Sequence, residues 1–484
     1  MSVISWSFLA FFAVLSGVYY LPPVRRRAQA QNILLLLGSF VFYGIADLKA
    51  LPLLAASVIV FYFLGLAVER AIKKEEWRRA ALLRAAGVCL GTGTLLGFKY
   101  LGAFLPANGS GTLRILLPLG LSFYTFRLIG YLIDVYREKI PAEKDPIRFA
   151  LFVSFFPTLV SGPIDRAGKF LPQLREGRLF DYGLAMDGFF QVLWGLFEKM
   201  CIADNLAPFT GMVWAQPEQS GSLTLAFTAL LYPIQIYADF DGYSHITIGL
   251  SKFLGIKVAR NFDHPFFSRN IAEYWRKWHM SLTSWLTDYV FTPLSVSFRN
   301  LGKVGICLAV VITFTLIGMW HGADWTFALF GLYHGLLYIP LVFSGSFQKR
   351  RKLKAGKWGL PAIGDMAGMM LTYLLVALGL VLFRAPGVSE AVSYACRMLA
   401  VGAWKPYDLV VALLNARIPL FFPLPILVLF LLEWARRDKE HPLQHCENAG
   451  SGKSMALDSC ITVSMLMAII LLQGHTGSFI YFNF

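Results

Sequence analysis

Two histidines in this chain stand where a neutral imidazole can move a proton. His321 falls within Gly318-Met-Trp-His-Gly-Ala-Asp-Trp325, at the junction between one apolar run and the next. Taken as a helix over residues 304–320, the preceding run has 17 residues and reaches about 26 Å, short of a hydrocarbon core of about 30 Å. His321 is therefore expected within membrane depth, where an ionisable side chain is costly unless it faces a cavity and serves a function. A neutral imidazole held there suits acyl transfer: it takes the proton of an acceptor hydroxyl as the oxygen attacks a thioester carbonyl, then returns it to the leaving thiol. The plainer alternative is a histidine hydrogen-bonded to a backbone carbonyl near a helix end, with Gly322 as the helix stop.

His279 belongs to a polar and aromatic island. The island holds Asp239-Phe-Asp-Gly-Tyr-Ser-His245, Asn261-Phe-Asp-His-Pro-Phe-Phe267 and Tyr274-Trp-Arg-Lys-Trp-His-Met-Ser-Leu282. On a helical wheel Trp275, Trp278, Leu282 and Trp285 share one face, with Lys277, Ser281 and Ser284 opposite. Periodicity alone reads first as an interfacial helix anchored by tryptophans; the second reading is the lining of a cavity, with His279 beside the aromatic stripe.

Other groupings are weaker. Asp239 and Asp241 could bind a divalent cation, although a hydrogen-bonded helix break fits better. His441, His445 and Cys446 resemble metal ligands but lack a fourth, so no metal site is expected. Lys199 reads as a snorkelling anchor at a helix end. No Gly-x-Ser-x-Gly elbow is present to supply a serine nucleophile. The six cysteines show no Cys-x-x-Cys spacing and several lie in apolar runs, so most are expected to be small core residues.

The elements that must position these groups are membrane helices. The 484 residues are 56% hydrophobic and 15% charged, with a mean hydropathy of +0.57, against roughly 25% charge in soluble domains. Runs of spanning length include residues 3–21, 50–68, 304–320, 325–343 and 367–383, and shorter ones cover 33–46 and 223–238. About ten to twelve transmembrane helices result, in a single all-α polytopic domain over residues 1–484. Arg25 to Arg27 separate the first run from the cleavage-like Ala28-Gln29-Ala30, so an uncleaved first helix is expected. The net charge of +15 does not point to nucleic acid, because its basic residues cluster in short loops: Arg25 to Arg27, Lys73 to Arg79, residues 349–354, and Arg436 with Arg437. That is the positive-inside pattern, and it puts the N-terminus outside. Residues 149–164 break the alternation, being flanked on both sides by basic residues including Arg166, Lys169, Arg175 and Arg178; they are expected to dip into the membrane and return.

Taken together the motifs resemble the membrane-bound O-acyltransferase family, in its bacterial alginate O-acetyltransferase branch. The resemblance rests on Tyr237-Ala-Asp-Phe-Asp-Gly-Tyr-Ser244, Asn261-Phe262, Tyr274 to Leu282, and Met319-Trp-His-Gly322 followed by Tyr333-His-Gly335. It extends to Leu119 to Phe126, Phe155-Phe-Pro157, Ser161-Gly-Pro163, Ile202 to Leu206 and Phe479 to Phe484. It implies a funnel of helices around His321, with His279 at the second characteristic position, and transfer of an acyl group from a cytoplasmic thioester to a hydroxyl. Asp239, Tyr243, Arg276, Lys277 and Trp320 are the expected substrate-binding residues, with Arg269, Arg276 and Lys277 at the mouth of a cytoplasmic funnel. The expected donor is acetyl-CoA, with no bound cofactor. The expected acceptor is a surface polysaccharide, reached through an extracytoplasmic partner, and the expected location is the bacterial cytoplasmic membrane. Asp241 and His245 depart from the family pattern, which leads one to expect a serine and an aspartate there. Teichoic acid D-alanylation, peptidoglycan O-acetylation and, outside the family, polymer or lipid transport are the competing readings.

Overall fold

The computed structural model describes residues 3–104, 117–347, 349, 359–400, 402, 404–418, 421–444, 452–474, 477 and 479. Among them no β-strand forms. Seven helices are long and apolar enough to cross a membrane: Ala28–Asp47, Leu51–Lys73, Trp77–Tyr100, Ser222–Phe253, Arg299–His321, Trp325–Phe343 and Ile363–Arg384. Trp6–Tyr19, Pro423–Ala435 and Ser459–Leu472 are shorter apolar helices. Apolar side chains also face outward: Leu51–Lys73 buries Leu54, Phe61 and Val68 yet exposes Ile59 and Phe63, as a helix bathed in lipid must. The protein is an all-α polytopic membrane protein.

The described chain forms two compact units, residues 1–192 with 244–260, and residues 193–243 with 261–484. In the first, residues 149–164 form no span-length helix. Pro146–Ser154 is followed by the single turn Phe156–Leu159, and its buried carbonyls need donors that a helix would have supplied. Arg127, itself buried, provides them: its guanidinium donates to the carbonyls of Phe152, Val153, Thr158 and Pro163 at 3.4, 3.3, 2.6 and 3.1 Å. Arg178, expected as a loop charge, is buried instead, donating to the Asn32 amide oxygen at 2.7 Å and to the Tyr19 hydroxyl. Gln31 pairs with both backbone groups of Arg178 at 2.8 Å.

The second unit holds the features that matter for chemistry, and several differ from expectation. The Ser222–Phe253 helix runs without a break through Asp239 and Asp241. Gly302–His321 is 20 residues long rather than 17, about 30 Å, so the short-helix argument for the depth of His321 does not hold. Gly322 then continues as extended backbone, and three residues later Trp325–Leu337 begins. The two helices pack against each other through facing glycines: a Cβ on Gly318 would lie 2.0 Å from the Phe327 carbonyl oxygen, and one on Gly331 2.1 Å from that of Phe314. Small residues permit this close approach in membranes. The Ile363–Arg384 helix packs on Trp325–Leu337. Among the described cysteines only Cys201 and Cys307 are buried, whereas Cys89, Cys396 and Cys460 are exposed.

Candidate active site

His279 does not ride on one long amphipathic helix. Ile271–Lys277, capped by the Asn270 side chain accepting from the Glu273 N–H at 2.9 Å, stops at extended Trp278; His279 then adopts a left-handed backbone (φ 44°, ψ 51°), and Met280–Leu286 begins. The kink is spliced to the Asn261-Phe262 step. The Met280 N–H donates to the Asn261 carbonyl at 2.7 Å, the Asp263 N–H to the Lys277 carbonyl at 3.0 Å, and the Ser281 hydroxyl to the Asn261 amide oxygen at 2.6 Å. Trp275, Trp278, Leu282 and Trp285 are all buried, so the segment lies within the protein and not along an interface.

The turn drives the His279 ring inward, where it is 2% exposed. Its centroid lies 4.8 Å from that of Phe240 and 6.1 Å from that of Trp320. Burial pushes its pKa down to about 3, against a smaller opposing effect from its backbone, so the ring is neutral at physiological pH. His321, also buried, packs edge-on against the same indole and against Phe383, its centroid 4.6 Å from that of Trp320 and 5.0 Å from that of Phe383. Gly322 is required beside it, since a Cβ there would come 2.1 Å from the Phe327 ring. The two expected catalytic histidines thus share Trp320.

Among the described residues, adjoining cavities run from the Ile271–Lys277 segment to His321, and His279 is in the lining of none of these. One, of 570 Å³, is lined by Arg276, Lys277 and Lys349 and by Asp263, Glu273 and Asp288, with Met280, Thr283, Ser284 and Thr287. Its charges balance, and of the expected mouth residues Arg276 and Lys277 line it. Arg269 is not in its lining and is paired with Glu273 at 3.0 Å and Asp365 at 3.7 Å. Burial alone would raise the pKa of Glu273; hydrogen bonds from Arg269 and the charge of Lys277 hold it below the ordinary value. A second cavity of 320 Å³ is mainly apolar and shares Arg276, Thr283 and Thr287 with the first; Trp275, Phe314, Ile317 and Tyr338 add to its wall. The third, 20 Å³, is lined by Trp275, His321, His334, Tyr274, Trp278, Phe330 and Phe383 among others. Trp275 belongs to both the second and the third.

Asp239 and Tyr243 are not in the lining of these cavities. Asp239 is buried and paired with Lys199 at 2.7 Å, and Lys199 also contacts Asp204 at 2.8 Å. Lys199 is therefore a buried ion-pair centre rather than a snorkelling anchor. Tyr243 is buried and packs edge-on against Phe479 at 4.9 Å. His441 is buried, but His445 and Cys446 lie outside the described residues, as do residues 480–484 and 350–358 of the expected motifs and basic loop. His334 was not among the expected site residues: a lone histidine inside an apolar helix carries no signal of its own, and only its place in Tyr333-His-Gly335 hinted at a role.

Comparison with known proteins bears directly on this arrangement. Residues 140–378, which contain His279, His321 and His334, match the membrane-bound O-acyltransferase family. The chain is 33% identical over 418 residues to a probable alginate O-acetylase of Azotobacter vinelandii, covering 82% of this chain and 78% of that protein. It is 34% identical over 423 residues to the probable alginate O-acetylase of Pseudomonas aeruginosa, covering 82% and 75%. A peptidoglycan O-acetyltransferase of Helicobacter pylori is 31% identical over 350 residues, 64% of each chain. The chain with this shared-indole histidine pair is an O-acyltransferase and belongs to the membrane-bound O-acyltransferase family.

Proposed function

We propose that this protein sits in the bacterial cytoplasmic membrane and moves acetyl groups from acetyl-CoA towards hydroxyls of an extracytoplasmic polysaccharide, with His321 as general base. The observation that carries the reading is the series of adjoining cavities, from the charged one at Arg276 and Lys277, through the apolar one, to the small void at His321, each sharing residues with the next. Arg276 and Lys277 suit the phosphates of an anionic donor, and the apolar cavity suits its pantetheine arm. His321 accepts the hydroxyl proton while the oxygen attacks the thioester carbonyl carbon. The tetrahedral intermediate then expels the thiolate, which recovers the proton from the imidazolium. His279, neutral and one indole away, is placed to orient the acceptor or the acyl carbonyl. A separate extracytoplasmic protein receives the acetyl group and passes it to the polymer. The alginate O-acetylase relatives support a polysaccharide acceptor; the peptidoglycan O-acetyltransferase relative favours a wall polymer as the second reading.

The test is acetyl transfer by detergent-purified protein supplied with labelled acetyl-CoA, comparing wild type with His321→Ala. Loss of a positioned base lowers the rate by about 10² to 10⁴, while the variant still inserts and folds. Wild-type turnover in His321→Ala overturns the assignment of the base, and transport of polymer without acetyl transfer overturns the enzyme reading for this substrate.

A further inference from the structure

His334 is 1% exposed, in the middle of the Trp325–Leu337 helix. The Trp275 indole N–H donates to its Nδ1 at 3.3 Å. Nδ1 is then the acceptor, and in a neutral ring the proton must sit on Nε2. That Nε2–H has no hydrogen-bond acceptor among the described residues. A buried donor left unmatched is expensive, so its surroundings must supply an acceptor. Two features make room for one. Gly379 faces the ring without a side chain, where a Cβ would lie 2.7 Å from Nε2. The 20 Å³ void that His334 lines is also lined by His321, and a void of this size admits one water.

We infer that His334 is a positioning residue for His321, acting through a single water held in that void. This rests on the reading of His321 as the base. The water accepts from Nε2–H of His334 and from one ring N–H of His321. It thereby fixes His321 in the tautomer whose other nitrogen is unprotonated and faces the acceptor hydroxyl. When that nitrogen takes the proton, the same water still accepts from the imidazolium, so no rearrangement accompanies the step. Trp275 completes the arrangement by fixing the tautomer of His334.

The experiment compares His334→Phe, which keeps ring volume and removes the donor, with His334→Gln, which keeps an N–H donor at similar reach. Both are assayed beside His321→Ala in the same detergent preparations, with thermal melting as the folding control. In His334→Phe the kcat is expected to fall about tenfold, the scale of one net hydrogen bond, with the donor KM unchanged. His334→Gln should recover most of that loss. Wild-type kcat in His334→Phe, or equal loss in both variants, overturns the inference. Should His334→Phe fail to fold, Trp275→Phe removes the indole donor from His334 Nδ1; because Trp275 also lines the apolar cavity, it is read on kcat at saturating donor, which should fall, and unchanged kcat there overturns the inference as well. An inactive His321→Ala beside a fully active His334→Phe sinks this inference alone, whereas an active His321→Ala sinks the reading beneath it.

Discussion

The ammonium of Lys199 lies 2.7 Å from the Asp239 carboxylate, and both side chains are almost wholly buried. The lysine is on the π-helical turn Glu198–Ala203 and the aspartate is mid-way along Ser222–Phe253, so the pair ties two helical segments of one unit together. Lys199 also holds Asp204 at 2.8 Å, so removing the cation leaves two buried carboxylates uncompensated, whereas removing Asp239 leaves Lys199 paired with Asp204. Lys199→Met is expected to lose about 3 to 5 kcal/mol of stability, and Asp239→Ala to lose less. Thermal melting in detergent reads the difference; Lys199→Met as stable as wild type would remove the pair from this structural role.

The glycine crossing separates positioning from chemistry. Gly331→Ala puts a methyl group against the Phe314 carbonyl and forces apart the two helices that carry His321 and His334. Overpacking of this kind costs about 1 to 3 kcal/mol, and activity should fall together with melting temperature. In His321→Ala the rate should fall while the melting temperature stays. Equal melting of Gly331→Ala and wild type would show that the crossing tolerates the methyl group.

His279 should imprint a pH dependence on stability. Its folded pKa of about 3, set by burial, lies below the ordinary 6.5, so between these values the unfolded chain binds the proton that the folded chain refuses. The contribution is complete above pH 6.5 and shrinks as the pH falls towards 3, by about 2 kcal/mol at pH 5. His279→Asn, which tolerates the left-handed backbone, should show a shallower loss between pH 7 and pH 5. Identical slopes for the two proteins would mean that the ring takes up a proton in the fold.

Arg276 and Lys277 meet opposite charges in their cavity, so their effect on an anionic donor is local. Reversing both to glutamate should raise the donor KM roughly tenfold or more and steepen with falling ionic strength, while membrane insertion is unchanged. A donor KM equal to wild type would leave contact with lipid headgroups as their role.

What could be read from the sequence follows what is local. Apolar run length pointed to the membrane class and the Trp-His-Gly ending to His321, whereas the aromatic density around His279 read first as an interfacial helix and only second as the lining of a cavity. Partners set by tertiary contact were hidden. Nothing at Lys199 names Asp239, 40 residues away, and Arg178 looks like any loop arginine until Asn32 and Tyr19 enclose it. The helical wheel over residues 275–285 failed for a specific reason: it assumes continuous helix, and the left-handed residue at 279 turns the chain. His334 was hidden because burial, the Trp275 donor and the shared void all come from elements distant in sequence.

The Arg127 clasp has a consequence for biogenesis. The four carbonyls it serves lie 25 to 36 residues later in the chain, so the ribosome delivers the guanidinium before any of them. A segment with open carbonyls is a poor passenger for lipid, but here each emerges to find its donor already made. Translation order and hydrogen-bond order coincide along this broken helical stretch.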